Sequence, residues 1–366
     1  MQSANKICDM KRKERKMKKN LKKVMGFFLV AAMSITLLVG CGSSNPSSTE
    51  GDTKAETGAE QETGNIKIGI SMESLESQFL VMNHEAMVKK AEELGVEVVV
   101  SIAEGDPTKQ NQQIEDLIAQ GCQTIICFPK DGASIASAVK KAQDAGVNFI
   151  MNNRSIQSDD VVPELQVLAD NEKMAYDIVS WFAEKAKEEG EQYEVILLVG
   201  NLGDGGAVAR QAGHKKALEE NADVFNLVSE IPTEWDHEIT LKGLQNALQA
   251  NPDANLIITP SDFLYPPIRA ALEQANRWAV RGEDNHCTLL TFDGDEVGMQ
   301  YLKDGYSAAN AAQDPVFEGE KCVEWAVKMA QGEYPPENII YDNGILVTMD
   351  NLEEVGPTIW SWSMVE

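Results

Sequence analysis

Aromatic, guanidinium, carboxylate and amide side chains recur in this chain shortly after short apolar runs. The planar groups of Arg, Asp, Asn and Gln exchange hydrogen bonds with hydroxyl groups, and an aromatic ring stacks on the C–H face of a saturated ring. This combination of side chains suits a polyhydroxylated ring as ligand. The candidate binding residues are Phe79, Asn153, Arg154, Arg210, Trp235, Ser261, Asp262, Asp293 and Gln313.

The segments that position these residues alternate between strand-like and helix-like patterns. Gly95, Gly121 and Gly146 each stand just before a strand-like run, where a left-handed residue commonly ends a helix. The alternation predicts parallel sheets with helices on both faces, an α/β fold. The strand-like runs are 66–72, 96–102, 124–128 and 149–152 in a first series, and 195–199, 225–231, 256–259, 288–292 and 307–312 in a second.

The two series predict two doubly wound lobes. We expect the first lobe to comprise residues 66–169 plus 314–343, and the second to comprise 170–313 plus 344–366. The chain would then cross between the lobes three times, near 169–170, 313–314 and 342–344, through a three-segment hinge. Ligands of such sheets bind beyond the carboxyl ends of the strands, so two facing lobes predict a binding cleft between them.

The charge of the chain is unevenly distributed. The whole chain has a formal net charge of −26, but residues 1–40 contain ten Lys or Arg against two Asp or Glu. Residues 41–366 contain 22 basic and 56 acidic side chains, a net charge of −34. A body this negative repels phosphate groups, which excludes nucleic acid as a partner. It also argues against attachment through anionic lipid headgroups.

Residues 1–40 have the order of a secretory signal peptide, with basic residues followed by an apolar run over 24–39. Sixteen helical residues span roughly 24 Å, which is short for a permanent transmembrane helix. The run ends in Leu38-Val39-Gly40-Cys41, which resembles the bacterial lipobox and implies cleavage before Cys41 and acylation of its sulfur. An uncleaved anchor with an incidental cysteine is the alternative. Either Met1 or Met17 can be the start.

Residues 41–65 are rich in Ser, Thr, Gly and Glu and have almost no large apolar side chains, so they predict a flexible tether behind the lipidated cysteine. The remaining cysteines have no zinc-like spacing with one another or with His. Cys122 and Cys127 are predicted core residues. Cys287 and Cys322 can pair or stay free, because sequence does not place them within disulfide distance.

Motifs for cofactors, metals and catalysis are weak. Gly203-Asp204-Gly205-Gly206 lacks the G-x-G-x-x-G spacing and has no Walker lysine, so it predicts a tight turn at the start of a helix. Asp293-Gly294-Asp295-Glu296 opens like a calcium loop but lacks the later ligands. The four histidines are scattered, with no H-E-x-x-H and no G-x-S-x-G. We therefore expect a binding protein without cofactor or metal, not an enzyme.

The lipobox, the tether and the ordered motifs resemble the sugar-binding lipoproteins of bacterial ABC transporters, of the periplasmic ribose- and galactose-binding type. The resemblance extends from Ile66 to about Met349. Regulators of the lac-repressor type share this fold but carry an N-terminal helix-turn-helix, where this chain has a signal and a tether.

The resemblance implies a role for each candidate residue. Phe79 and Trp235 would stack on the sugar from opposite lobes, and Arg154, after Asn153, would grip it from the first lobe. Arg210, in an Arg-x-x-Gly pattern, would bind it from the second lobe. Asp293, in Phe-Asp-Gly, and the residues Ser261 and Asp262 would meet its hydroxyls, and Gln313 would act at the hinge side.

Three departures from the family pattern concern the ligand. Ser261 stands where the family usually has Asn, Phe128 stands where ribose binders have a polar residue, and Leu80 replaces a second aromatic residue. The full ribose set is therefore absent. The expected function is capture of a small sugar by hinge closure and its delivery to an ABC permease, by a monomer anchored on the outer face of the cell membrane. A sensor that presents a sugar or autoinducer to a signalling receptor is the alternative, and an extracellular enzyme is a third.

Overall fold

The computed structural model describes residues 66–366. The predicted signal peptide, Cys41 and the predicted tether over 41–65 lie outside these residues. Among residues 66–366, no helix is both long enough and apolar enough to cross a membrane.

Within residues 66–366, twelve strands form two six-stranded sheets, one in each lobe. The first sheet has the order β11-β5-β4-β3-β1-β2 and is parallel throughout; the second has the order β12-β10-β9-β8-β6-β7. In the second sheet β12 runs antiparallel to β10, and the other pairs are parallel. The strands are β1 Lys67–Met72, β2 Glu97–Ile102, β3 Thr124–Phe128, β4 Asn148–Asn153, β5 Leu165–Ala169, β6 Tyr193–Val199, β7 Phe225–Pro232, β8 Leu256–Ile258, β9 Thr288–Asp293, β10 Ser307–Ala312, β11 Ile339–Asp342 and β12 Ile345–Thr348.

Helices pack on the faces of both sheets. In the first lobe α9 packs against α1, and in the second α4 packs against α5. The α-helices are α1 Gln78–Leu94, α2 Pro107–Ala119, α3 Ala136–Asp144, α4 Asn171–Glu189, α5 Gly205–Glu220, α6 His237–Ala250, α7 Tyr265–Gln274, α8 Glu296–Lys303, α9 Pro315–Ala330 and α10 Leu352–Val355, with 3₁₀ turns at Asp262–Leu264, Gly356–Thr358 and Trp362–Met364.

The helix ends follow the sequence signals. Gly95 and Gly190 end α1 and α4 in the left-handed conformation, with φ of 68° and 73°. Asp106 and Asp204 accept hydrogen bonds from the first backbone N–H groups of α2 and α5. These caps satisfy N–H groups that have no partner inside the helix.

The predicted class, two doubly wound α/β lobes, is confirmed, while three strands were not predicted. Strand β5 follows β4 without a helix between them, and β11 and β12 follow one another directly. The chain passes between the sheets after β5, after β10 and between β11 and β12.

Each lobe has its own apolar core, and the two cysteines whose pairing was open lie in different cores. Cys322 packs with the strands of the first lobe, and Cys287 packs with those of the second. Both are buried and free. A disulfide between them is therefore excluded in this structure.

Candidate ligand-binding cleft

A cleft of about 680 Å³, counting its open mouth, lies where the carboxyl ends of the strands of the two lobes face one another. Eight of the nine predicted binding residues line it: Phe79, Asn153, Arg154, Arg210, Trp235, Ser261, Asp293 and Gln313.

Arg154 follows β4 in the first lobe and is held by carboxylates from both lobes. Its Nη1 lies 2.9 Å from Glu73 Oε1, and its Nε lies 2.8 Å from Asp204 Oδ2. Burial disfavours its charge, but Asp204 and Glu73 outweigh burial and raise the pKa of Arg154. The guanidinium also lies over the Phe128 ring, 5.1 Å from its centroid. Arg154 is therefore a fixed cation with its charge already neutralised.

Arg210, on α5, is held entirely by the second lobe. Its Nε donates to Asn171 Oδ1 at 2.7 Å, and its Nη1 lies 3.0 Å from Asp293 Oδ1. The guanidinium stacks on the Phe292 ring at 4.0 Å. Within residues 66–366 the Nη2 atoms of Arg210 and Arg154 have no hydrogen-bond partner, so both remain available as donors to a ligand.

Three of the predicted binding residues have a backbone in the left-handed region, which residues other than glycine seldom adopt. The φ angles are 61° at Asn153, 57° at Trp235 and 101° at Asp293. Such strain costs roughly 1–3 kcal/mol per residue and concentrates at functional sites. The surrounding structure therefore holds these side chains toward the cleft against local preference.

Asp293, at the end of β9, collects hydrogen bonds from neighbours on three segments. Its Oδ1 accepts from Arg210 and from Gln313 Nε2, and its Oδ2 accepts from Ser261 Oγ at 2.5 Å. Ser261 is 5% exposed and Gln313 is 3% exposed, so the cluster is shielded from bulk water. A carboxylate fixed in this way is preorganised to accept a further hydrogen bond.

Trp235 lies against the end of β6, and Gly200 makes this approach possible. A Cβ at Gly200 would lie 2.2 Å from the Trp235 ring, well inside contact distance. The indole Nε1 of Trp235 donates to Asp204 Oδ2 at 3.2 Å. On the facing lobe, Phe79 packs edge-on against Trp360, with ring centroids 6.4 Å apart.

The ninth predicted residue, Asp262, does not line the cleft. It is fully buried, and Oδ2 accepts from the backbone N–H groups of Gly294 and Asp295 at 3.1 and 3.0 Å. Asn310 Nδ2 donates to both carboxylate oxygens. Burial, with a smaller contribution from the Asp293 charge, raises the pKa of Asp262 well above its usual value. The assignment of Asp262 as a ligand contact is corrected: it supports the loop after β9.

Sequence reasoning missed several residues that line the cleft, among them Glu73, Glu76, Lys130, Asp204 and Phe263. Glu73 follows β1 directly and binds Lys130 Nζ at 3.3 Å, so the strand-end rule could have found it. Asp204 was assigned only to a turn before a helix.

Contacts between the lobes surround the cleft. Besides the Arg154–Asp204 pair, the N–H of Gly132 donates to the Gly203 carbonyl at 3.0 Å. The N–H of Glu296 donates to Gln78 Oε1 at 2.9 Å. The lobes therefore touch across the cleft, which corresponds to a closed arrangement.

Comparison with known proteins agrees with this architecture. A family model described as a periplasmic binding protein domain matches residues 68–334. The ribose import binding protein of Salmonella typhimurium is 30% identical over 269 residues, covering 73% of this chain and 85% of the relative. The D-xylose-binding periplasmic protein of Escherichia coli is 25% identical over 284 residues, covering 76% and 82%.

A solved structure supports the fold. The myo-inositol binding protein of Caulobacter, bound to myo-inositol, superposes with a TM-score of 0.71 at 22% identity, covering 79% of this chain and 95% of that one. The match of the family model over most of the folded body, together with the ribose import relatives, is decisive for classification. The chain belongs to the periplasmic binding protein family, whose members bind solutes and are not enzymes.

Proposed function

We propose that this protein captures a small neutral sugar in the cleft between its lobes and delivers it to an ABC permease. The observation that carries the proposal is the charge balance of the cleft. Each of its two arginines is already paired with a carboxylate, while aromatic rings and free donors face the same space.

The balance of charge favours a ligand without charge. Three cations and four carboxylates line the cleft: Arg154, Arg210 and Lys130 against Glu73, Glu76, Asp204 and Asp293. The sum is close to zero, and most of these groups are bound to one another. An anionic ligand would either displace a protein carboxylate from an arginine or lie beside that carboxylate against its negative charge, whereas sugar hydroxyls need only the remaining donors and lone pairs.

The names of relatives point to the same class of ligand. They include ribose and D-xylose binding proteins, and the solved structures that share the fold include complexes with myo-inositol and D-allose. The aromatic rings of Phe79 and Trp235, one from each lobe, would stack on the two faces of such a ring.

The mechanism we propose is closure of the lobes around the sugar. A ligand that touches both lobes lowers the free energy of the closed state relative to the open one, whereas a ligand that touches one lobe does not. The three connecting segments would act as the hinge. The permease would recognise the closed surface, and Cys41, acylated after signal cleavage, would hold the monomer at the extracytoplasmic face of the membrane.

Isothermal calorimetry against D-ribose, D-xylose, D-allose, myo-inositol, uronates and sugar phosphates tests the ligand class. We expect saturable binding of at least one neutral compound and no comparable binding of the charged ones. Trp235→Leu should weaken binding, and Trp325→Leu, a tryptophan of the first lobe outside the cleft, should not. Binding of charged compounds alone would overturn the proposal.

Uptake of the labelled sugar by cells tests delivery. Deletion of the gene should abolish uptake at low sugar concentration, and the wild-type gene should restore it. Normal uptake together with loss of a sugar-dependent transcriptional response would favour the sensor alternative instead.

A further inference from the structure

Glu318 is a fully buried acid at the segment that joins the lobes, and it does not line the cleft. It lies in the first turn of α9, directly after the chain has left β10. Both of its carboxyl oxygens face the side-chain nitrogen of Asn153, at distances of 3.2 and 2.9 Å from Nδ2. Burial of a carboxyl group costs free energy that its hydrogen bonds must offset. The only side chain that bonds Glu318 among residues 66–366 is Asn153, so this contact is the one to explain.

The amide hydrogens of Asn153 are both used inside the protein. One is directed to Glu318 and the other to Gln313 Oε1, which lies 3.0 Å from Nδ2. Within residues 66–366 the Oδ1 atom of Asn153 has no hydrogen-bond partner, and Asn153 lines the cleft. Asn153 therefore presents an acceptor to a ligand, not a donor.

The donor-to-acceptor direction of these hydrogen bonds continues into the second lobe. Because Gln313 Oε1 accepts from Asn153, its Nε2 is left to donate, and it bonds Asp293 Oδ1 at 2.5 Å. Asp293 accepts only, so it fixes one end of the chain, and Glu318 fixes the other. Burial raises the pKa of Glu318 well above its usual value. In either protonation state the group retains an oxygen that accepts from Asn153.

We infer that Glu318 is a positioning residue that orients the Asn153 amide, so that the cleft demands a hydroxyl donor from the ligand at that point. The inference rests on the proposed function, because it assigns the polarity of one contact in the sugar site. A ligand that lacks this hydroxyl would leave a buried acceptor unpaired, which weakens binding by about ten- to hundredfold.

Glu318→Met tests the inference, because it removes the acceptor at similar volume and leaves the Asn153 amide held by Gln313 alone, so that the amide can turn more easily. The probe is whichever of D-ribose, D-xylose or myo-inositol binds, together with its monodeoxy analogues. In the wild type we expect one analogue to bind at least tenfold more weakly than the parent sugar, because it lacks the hydroxyl that donates to Asn153. In Glu318→Met the penalty for that analogue should fall below about threefold, while the penalties for the others persist.

Glu320→Met, on the same helix but partly exposed, is the matched control. In this variant each monodeoxy analogue should show the same loss of affinity, relative to the parent sugar, as in the wild type. Uniform weakening of all analogues in Glu318→Met would show a merely structural role and overturn the inference. Unchanged penalties would overturn it as well.

A measurement without ligand separates this inference from the proposed function. In the protein labelled with ¹⁵N-asparagine, the Asn153 side-chain hydrogens should exchange slowly with solvent in the wild type and at least tenfold faster in Glu318→Met. Equal exchange in the two proteins refutes the role of Glu318, whether or not any sugar binds. Failure of the wild type to bind any sugar, with slow exchange retained, refutes the proposed function alone.

Discussion

Asp204 connects three parts of the cleft, and its replacement by Asn tests whether this connection holds the lobes closed. Oδ1 accepts from the N–H of Gly206 at 2.8 Å and caps α5, while Oδ2 accepts from Arg154 of the other lobe and from Trp235. Asn caps helices about as well as Asp, so the cap remains. The atom that faces Arg154 and Trp235, however, becomes an N–H donor opposite two donors.

The expected loss of binding free energy follows from the burial of the Arg154–Asp204 pair and from Glu73, which stays bonded to Arg154. Arg154 and Asp204 are 9% and 4% exposed, so solvent screens their interaction little. Removal of one partner from a buried, hydrogen-bonded ion pair across an interface costs roughly 2–5 kcal/mol. Glu73 stays bonded to Arg154, so we take the lower end, about 2 kcal/mol, which corresponds to roughly thirtyfold in an equilibrium constant.

Because the Arg154–Asp204 pair joins the two lobes, we expect most of the loss of affinity to arise from faster dissociation of the sugar. Stopped-flow tryptophan fluorescence should show sugar release about thirtyfold faster in Asp204→Asn than in the wild type. Asp106→Asn is the matched control: Asp106 caps α2 through Thr108 and Lys109, at 2.8 and 3.1 Å. It should release sugar at the wild-type rate. Equal rates in all three proteins would refute the reasoning and leave Asp204 as a helix cap.

Three further predictions concern the arginines, a buried histidine and the predicted lipid anchor. Arg154→Ala and Arg210→Ala should each weaken sugar binding by roughly 2–5 kcal/mol, and less than additively together, because both act on one closed state. Small-angle scattering should show contraction with sugar in the wild type only; contraction in both variants would remove these arginines from the site. Burial, helped by the Arg210 charge, lowers the pKa of His214 to about 3, so stability should fall by up to about 1.4 kcal/mol per pH unit as the pH drops below 6.5. Urea unfolding should show this loss reduced in His214→Gln and kept in exposed His237→Gln, and an unchanged loss in the former would contradict the assignment. Cys41→Ala should leave the precursor uncut or release the protein from membranes; a mature-size, membrane-bound variant would contradict acylation.

The strand-end rule predicted most of the cleft but could not resolve the direction of neighbouring side chains. Ser261 and Asp262 follow β8 one after the other, and both were predicted to meet the ligand. Ser261 is extended and caps the 3₁₀ turn that begins at Asp262, so the chain changes direction between the two residues. Ser261 consequently reaches Asp293 at the cleft, whereas Asp262 turns toward the loop after β9. Nothing in the sequence indicates which of the two faces the ligand.

The pairing of Arg154 with Glu73 and Asp204 lay beyond sequence reasoning for a different reason. The charged residues were visible in the sequence, but no periodic pattern relates residues that lie in separate connecting segments of two lobes. The pairing depends on how the lobes meet, which is a property of the folded chain.

The three unpredicted strands share one cause. The prediction relied on strands and helices that alternate, and no helix lies between β4 and β5 or between β11 and β12. These strands flank the crossings between the two sheets.

The ion pairs of the cleft predict selectivity against acidic sugars. A carboxylate ligand would compete with Glu73 and Asp204 for Arg154, or with Asp293 for Arg210. In either case it would leave a protein carboxylate buried without its partner, which costs several kcal/mol. A bidentate bond from an arginine to the ligand replaces a bond that the arginine already has, so it cannot offset that cost. A neutral hydroxyl, by contrast, adds hydrogen bonds through the Nη2 atoms without breaking a pair. Selectivity of this kind depends on contacts inside the protein, so Asp293→Asn should relax it and admit uronates while weakening the neutral sugar, a change of preference that the calorimetric panel measures directly.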